Sequence, residues 1–211
     1  MICVSISEPG QIRPLVQAGA ELIELRLDLL RISPAVIFNQ LPGDIRTVVT
    51  CRPGEYTDKE RIRLLRESVE LGASYVDLEL EASASYADQV ISSTTDHACD
   101  VIFSYHNFEA TPGKDELKHL LERCFQRGGD VAKITTTVNN RTDIFNLLSL
   151  YELPGRKVVL GMGDAGRITR VIGPYLGAEF TFASPGSGYE TAPGQINAAQ
   201  LQAIYKVIDQ S

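Results

Sequence analysis

The chain has no long apolar run, no excess of basic charge and no paired-cysteine motif, and each absence closes off a class of function. No stretch reaches the roughly 20 apolar residues that a membrane-spanning helix needs. The opening residues, MICVSISEPG, carry neither a basic segment nor an apolar core, so no secretory leader is expected. A formal net charge of −7 over 211 residues is the opposite of the basic footprint of a nucleic-acid binder. It still leaves room for a local basic pocket that holds a small acid. Cys3, Cys51, Cys99 and Cys124 form no CxxC pair. They read as buried thiols of a reducing compartment, and no metal site is expected. No linker, low-complexity segment or charge block interrupts the chain. One domain over residues 1–211, in a cytoplasmic protein, is the expectation.

What is present is strict alternation of short β-rich runs with helical patterns. The strands read as Ile2–Ile6, Leu22–Leu27, Thr47–Cys51, Tyr75–Leu80, Val101–Tyr105, Val131–Thr135, Lys157–Leu160 and Glu179–Phe182. Apolar residues at i, i+3, i+4 spacing mark helices over Asp58–Leu71, Asp115–Arg127 and Asn197–Ile208. Asn39 to Gly43 and Arg127-Gly128-Gly129 read as helix stops, and Asn197 as an N-cap. Eight βα units in a chain of this length predict an α/β fold, the (β/α)8 TIM barrel. An open doubly wound sheet is the alternative, but no GxGxxG follows the first strand.

A barrel interior is filled mostly by branched aliphatic side chains, and charges there are costly unless paired or used. Here five successive strands carry ionisable groups toward their C-terminal ends. Glu24, Arg26 and Asp28 alternate with leucines, Arg52 ends strand three, and Asp77 and Glu79 alternate on strand four. His106 ends strand five, and Lys133 sits inside the apolar strand six. A self-satisfied salt-bridge network would explain many of these charges, and Asp28 and Asp77 read easily as partners of arginines. Lys133 is harder to explain that way, because a snorkelling lysine belongs near an element's end. A lysine amine in such a wall attacks carbonyl carbons. His106, on the adjacent strand, suits proton transfer near neutral pH. Arg52 and Arg170 can grip a carboxylate. The basic stretch Arg61–Arg66 reads as a solvated helix face, and His97 and His119 as surface residues.

These pieces in order resemble the type I 3-dehydroquinate dehydratase family. The resemblance rests on Glu24-Leu25-Arg26-Leu27-Asp28, Thr50-Cys51-Arg52, Asp77-Leu78-Glu79, Ser104-Tyr105-His106-Asn107-Phe108 and Lys133. It extends through Gly161-Met162-Gly163, Arg170, Thr181-Phe182-Ala183 and Ala192-Pro193-Gly194-Gln195. It implies loss of water from 3-dehydroquinate through a Schiff base on Lys133, without a cofactor. It also implies His106 as general acid and base, and Glu55 as the carboxylate that orients it. Arg170 would bind the substrate carboxylate. Glu24, Arg26 and Arg52 would hold its ring hydroxyls, Ser5 matches another binding position of the family, and Met162 and Phe182 would form an apolar wall. Thr191 and Gln195 lie on the loop after strand eight, which closes over substrate in that family. The chain departs from the family around Glu55, where Pro53-Gly54-Glu55 is compressed, at Leu160, where a methionine is common, and at Thr191, where a serine is usual. A fused dehydrogenase domain and an N-terminal cover, found in some members, are not expected. A homodimer is a possible assembly. A Schiff-base aldolase and a barrel retired to ligand binding are the alternatives.

Overall fold

A computed structural model describes residues 1–210. Its strands are β1 (Ile2–Ile6), β2 (Leu22–Arg26), β3 (Arg46–Thr50), β4 (Tyr75–Glu79), β5 (Asp100–Asn107), β6 (Val131–Thr137), β7 (Arg156–Met162) and β8 (Thr181–Ala183). All neighbouring pairs are parallel, in the order β7-β6-β5-β4-β3-β2-β1-β8. At the floor the Glu179 N–H donates to the Lys157 carbonyl at 2.9 Å, bringing the start of β8 to β7. The architecture is a nearly closed (β/α)8 barrel, as the alternation predicts, and the open doubly wound sheet is set aside.

The long helices lie where the periodicity puts them: α4 (Asp58–Glu70), α6 (Lys114–Gln126) and α9 (Ala198–Asp209). Capping decides their starts. The Thr57 hydroxyl accepts from the Glu60 N–H, the Glu60 carboxylate accepts from the Thr57 N–H, and Asn197 caps α9. Gly128, at φ +90°, turns the chain out of α6. The remaining helices are α1 (Ile12–Gln17), α2 (Leu27–Leu30), α3 (Pro34–Phe38), α5 (Ala84–Thr94), α7 (Arg141–Leu148) and α8 (Arg167–Ile172). Most are too short to show a period. Strand two also ends earlier than expected. Leu27 opens α2, so Asp28 is helical, and it pairs back to Arg26 at 2.6 Å.

Alternation along the strands divides the apolar residues into two cores. Outward-facing residues such as Val4, Ile23, Val49, Val76, Phe103 and Ile134 pack against the helices. Inside the barrel, Cys3, Leu22, Val48, Tyr75, Ile102, Val131, Val158 and Phe180 form a separate lower cluster. All four cysteines are free and buried, as expected. Beneath that cluster the strand starts are laced together. Tyr75 Oη donates to Glu179 at 2.8 Å, Arg156 pairs with Glu179 at 2.7 Å and Asp100 at 2.8 Å, and Arg46 donates to the Tyr75 hydroxyl. Two residues further along β1 to β6 the inward positions become polar, which places the chemistry at the C-terminal mouth.

Candidate active site

The inward face changes character strand by strand. On β1 to β6 the second inward residue is Ser5, Glu24, Thr50, Asp77, Ser104 or Lys133, and every one is buried. On β7 and β8 the same level is apolar, with Leu160, Met162 and Phe182. The mouth therefore has a charged wall and a greasy wall, with a cavity of about 410 Å³ between them. Eleven of the twelve residues expected at a site line this one cavity: Ser5, Glu24, Arg26, Arg52, His106, Lys133, Met162, Arg170, Phe182, Thr191 and Gln195.

On the charged wall the groups are wired in series. Lys133 Nζ donates to Asp77 at 3.0 Å, and the other Asp77 oxygen pairs with Arg52 at 2.9 Å. Arg52 also meets Glu79 at 3.1 Å, and Glu79 meets Arg61 at 2.8 Å. Burial pushes the Asp77 carboxyl up, but Arg52 and Lys133 outweigh it and hold the group well below the usual carboxylate range. Arg61 corrects the solvated-face reading. It is 3% exposed, donates to the Cys51 carbonyl at 2.8 Å, and lies 4.7 Å over the Tyr86 ring. It clamps the tops of β3 and β4 from the first turn of α4. A network reading of these charges is thus right for this wall.

Two groups stand outside the network. Arg170 comes from α8, is 1% exposed, and among the described residues has no carboxylate partner. One nitrogen donates to the Phe182 carbonyl at 3.3 Å, while Nε has no partner among the described residues. Burial, with Arg167 adding to it, lowers this guanidinium from its ordinary value to about 10. A buried guanidinium of this kind suits an anionic ligand. His106 stacks on Phe108, with centroids 6.3 Å apart. Burial, then Arg52 and Lys133, push its imidazolium well below the ordinary range, with Asp77 opposing. The ring is therefore a neutral base at pH 7. Lys133 Nζ also lies 4.2 Å from the Phe182 ring centroid.

Glu55 is not brought to the cavity. Its side chain is 73% exposed and pairs with Arg31 at 2.9 Å. A bend over residues 53–56 places Pro53 against the cavity and leaves residue 55 facing outward. Glu79, Glu81 and Thr135 line the cavity instead. Glu79 already reads as an inward charge in the sequence, and the i+2 position after Lys133 could have signalled Thr135 in the same way. Over the greasy wall, the loop after β8 is docked. The Gly163 N–H donates to the Pro193 carbonyl at 3.2 Å, and the Thr191 N–H to Gln195 Oε1 at 2.8 Å. Gly194 has φ +76°, and a Cβ there would stand 2.8 Å from the Gly163 carbonyl carbon. Only a glycine lets the two backbones close this far.

The family model described as type I 3-dehydroquinase matches residues 3–211. The 3-dehydroquinate dehydratase of Methanocaldococcus jannaschii is 32% identical over 220 residues, spanning 99% of both chains. Among solved structures, the 3-dehydroquinate dehydratase of Aquifex aeolicus VF5 superposes with a TM-score of 0.85 at 26% identity over all of both chains. A type I 3-dehydroquinate dehydratase of Clostridium difficile gives 0.87 at 24%, over 99% of this chain and 92% of that one.

Proposed function

Since this chain belongs to the type I 3-dehydroquinase family and is a 3-dehydroquinate dehydratase, we propose that it removes water from its substrate through an imine on Lys133, with His106 moving the protons. The observation that carries this reading is the pairing, across one cavity, of a buried lysine with a buried Arg170 that has no carboxylate partner among the described residues. A keto-acid answers both groups. Its carboxylate reaches Arg170, and its ring ketone reaches Lys133.

The division of labour follows from the two walls. Lys133 forms the imine, and the protonated imine draws electrons from the adjacent carbon, so that its C–H becomes acidic. His106, neutral in the resting site, takes that proton and passes one to the departing hydroxyl. Asp77 is the carboxylate whose field supports the charged imidazole, and Glu55 is too far into solvent for that task. Arg52, Glu24, Arg26 and Ser5 face the ring hydroxyls. Met162 and Phe182 cover the apolar edge, and Thr191 and Gln195 seal the mouth. The eight units work as a single catalytic domain.

An aldolase would need a phosphate cradle in the last two βα loops. There the Gly163 N–H already serves Pro193, the Gly166 N–H serves Gly163, and the Gly188 N–H serves Glu190. That favours a carboxylate on Arg170 over a phosphate on backbone.

The test is trapping. Incubation with 3-dehydroquinate followed by borohydride should leave a reduced adduct on Lys133, mapped by mass spectrometry. Lys133→Ala should give none and should turn over no substrate. A folded parent enzyme that dehydrates the substrate without any adduct would sink the imine.

A further inference from the structure

Some buried hydroxyls in this barrel find partners within the protein and others do not. The Thr50 hydroxyl donates to Glu24 at 2.9 Å, the Ser104 hydroxyl to Asp77 at 2.6 Å, and the Thr136 hydroxyl shares a bond with Thr111 at 2.7 Å. Thr135 belongs to the second group. It is 3% exposed, and its Oγ1 has no partner. Among the described residues, Ser5 and Thr135 are the two orphaned hydroxyls that also line the cavity. Valine has the same shape and at least the same strand preference. A hydroxyl here is therefore a net cost to the free protein unless something in the cavity bonds it.

The register says what that something is. Thr135 stands two residues after Lys133 on β6, so both side chains face inward. It is the direct partner of His106 across the β5–β6 ladder, while Lys133 is the partner of Ser104 one layer below. The hydroxyl thus sits above the lysine and beside the histidine, at the level where a carbon attached to Lys133 would carry its oxygen.

We propose that the Thr135 hydroxyl is a further catalytic residue, hydrogen-bonded to the oxygen that leaves the substrate's ketone carbon during imine formation. This rests on the imine reading above. A Lys133 proton moves to neutral His106, and the freed nitrogen lone pair adds to the carbonyl carbon. The C=O pair shifts to oxygen, which takes a second proton from that nitrogen. The resulting C–OH receives the proton from His106, the C–O bond breaks with its pair leaving as water, and the nitrogen lone pair closes C=N. Two of the three ammonium protons end on water and one remains on the imine. Thr135 keeps its own proton throughout. It holds the oxygen still while the C–O bond forms its hydroxyl and then breaks.

The experiment compares Thr135→Val and Thr135→Ser with the parent, using 3-dehydroquinate. Washout of ketone ¹⁸O into solvent and the rate of borohydride-trappable imine report on this step. Both should slow roughly tenfold in Thr135→Val, the size expected for one lost hydrogen bond in a transition state. Thr135→Ser should stay near the parent. The valine variant should melt at or above the parent temperature, which a purely structural role for the hydroxyl would reverse. Should valine disturb the fold, Thr135→Ala supplies a second variant without the hydroxyl. Parental exchange and trapping rates in a folded hydroxyl-free variant would overturn the proposal. A parent with no Lys133 adduct would instead fail the imine itself, and the role of Thr135 would fall with it.

Discussion

The floor and the mouth of this barrel are both built from charged and polar side chains, yet they treat them differently. At the floor, Arg156 is shared between Glu179 and Asp100, Tyr75 bridges Glu179 and Arg46, and the Arg46 guanidinium lies 4.9 Å over the Tyr75 ring. No atom of that cluster is orphaned. At the mouth, Arg170 Nε, Ser5 Oγ and Thr135 Oγ1 are buried without partners. The desolvation cost of an unpaired buried polar group is an expense a fold avoids where stability is the only requirement. Three orphans around one cavity, above a floor network that has none, point to the half of the molecule that a ligand completes.

The largest break in this comparison should come from Arg170→Met. Losing the one cavity guanidinium without an acidic partner among the described residues should lower kcat/KM by roughly 10²-fold, mostly through KM. The same variant should melt higher than the parent, because an unpaired buried cation has been removed. Steady-state kinetics and a thermal melt read both arms, and a lower melt with unchanged KM would mean that Arg170 is scaffold. Gly194→Ala acts on the lid. The added Cβ collides with Gly163 and the left-handed backbone disfavours it, so the loop should undock and KM rise by about tenfold, with kcat less affected.

A third effect sharpens the electrostatic side. His106 must be neutral to begin, and its proton affinity is depressed by burial and then by Arg52 and Lys133. The acid limb of kcat/KM should therefore lie below the ordinary histidine value of about 6.5. Activity is present above the shifted value and lost as pH falls through it. Arg52→Gln removes one depressing cation, so that limb should move up in pH; a limb that stays put would point away from His106. The smallest effect on turnover belongs to the floor. Arg156→Met should leave kcat/KM at the parent value while costing about 1 kcal/mol of stability, as expected for a partly exposed ion-pair network.

The sequence shows the mouth better than it shows the floor. Alternation on β2, β4 and β6 exposes Glu24, Asp77 and Lys133 as inward charges, because a period of two next to leucines admits one reading. Arg170 read as a carboxylate ligand from its residue type, and the resemblance singled it out for the substrate's carboxylate, although its helix is six residues long and carries no visible period of its own. Arg61 was illegible for the opposite reason. A basic residue on an amphipathic helix looks solvated, and only the fold shows that the first turn of α4 overhangs the strand tops. Glu55 failed on local geometry, since one bend over residues 53–56 decides which way its side chain points. Thr135 was within reach, as the next inward residue after the lysine, but a threonine on a strand attracts no notice until its hydroxyl is seen to lack a partner. The floor network joins four strand starts with a residue just before β8, contacts too distant in sequence for any pattern to couple them.

The ladder runs continuously from β7 through β1 to β8, while β8 and β7 are joined at their starts, among the described residues, by the backbone bond from Glu179 to Lys157. Mechanically the barrel is a sleeve with one slit, and the slit lies along the greasy wall beside Met162 and Phe182. Prying it wider slides side chains past each other, whereas widening the sleeve anywhere else means tearing rows of hydrogen bonds and the Arg52–Asp77–Lys133 chain with them. The mouth is thus compliant in one direction. Ring analogues carrying extra bulk toward Met162 should be admitted with modest loss, while the same bulk turned toward Asp77 should be refused.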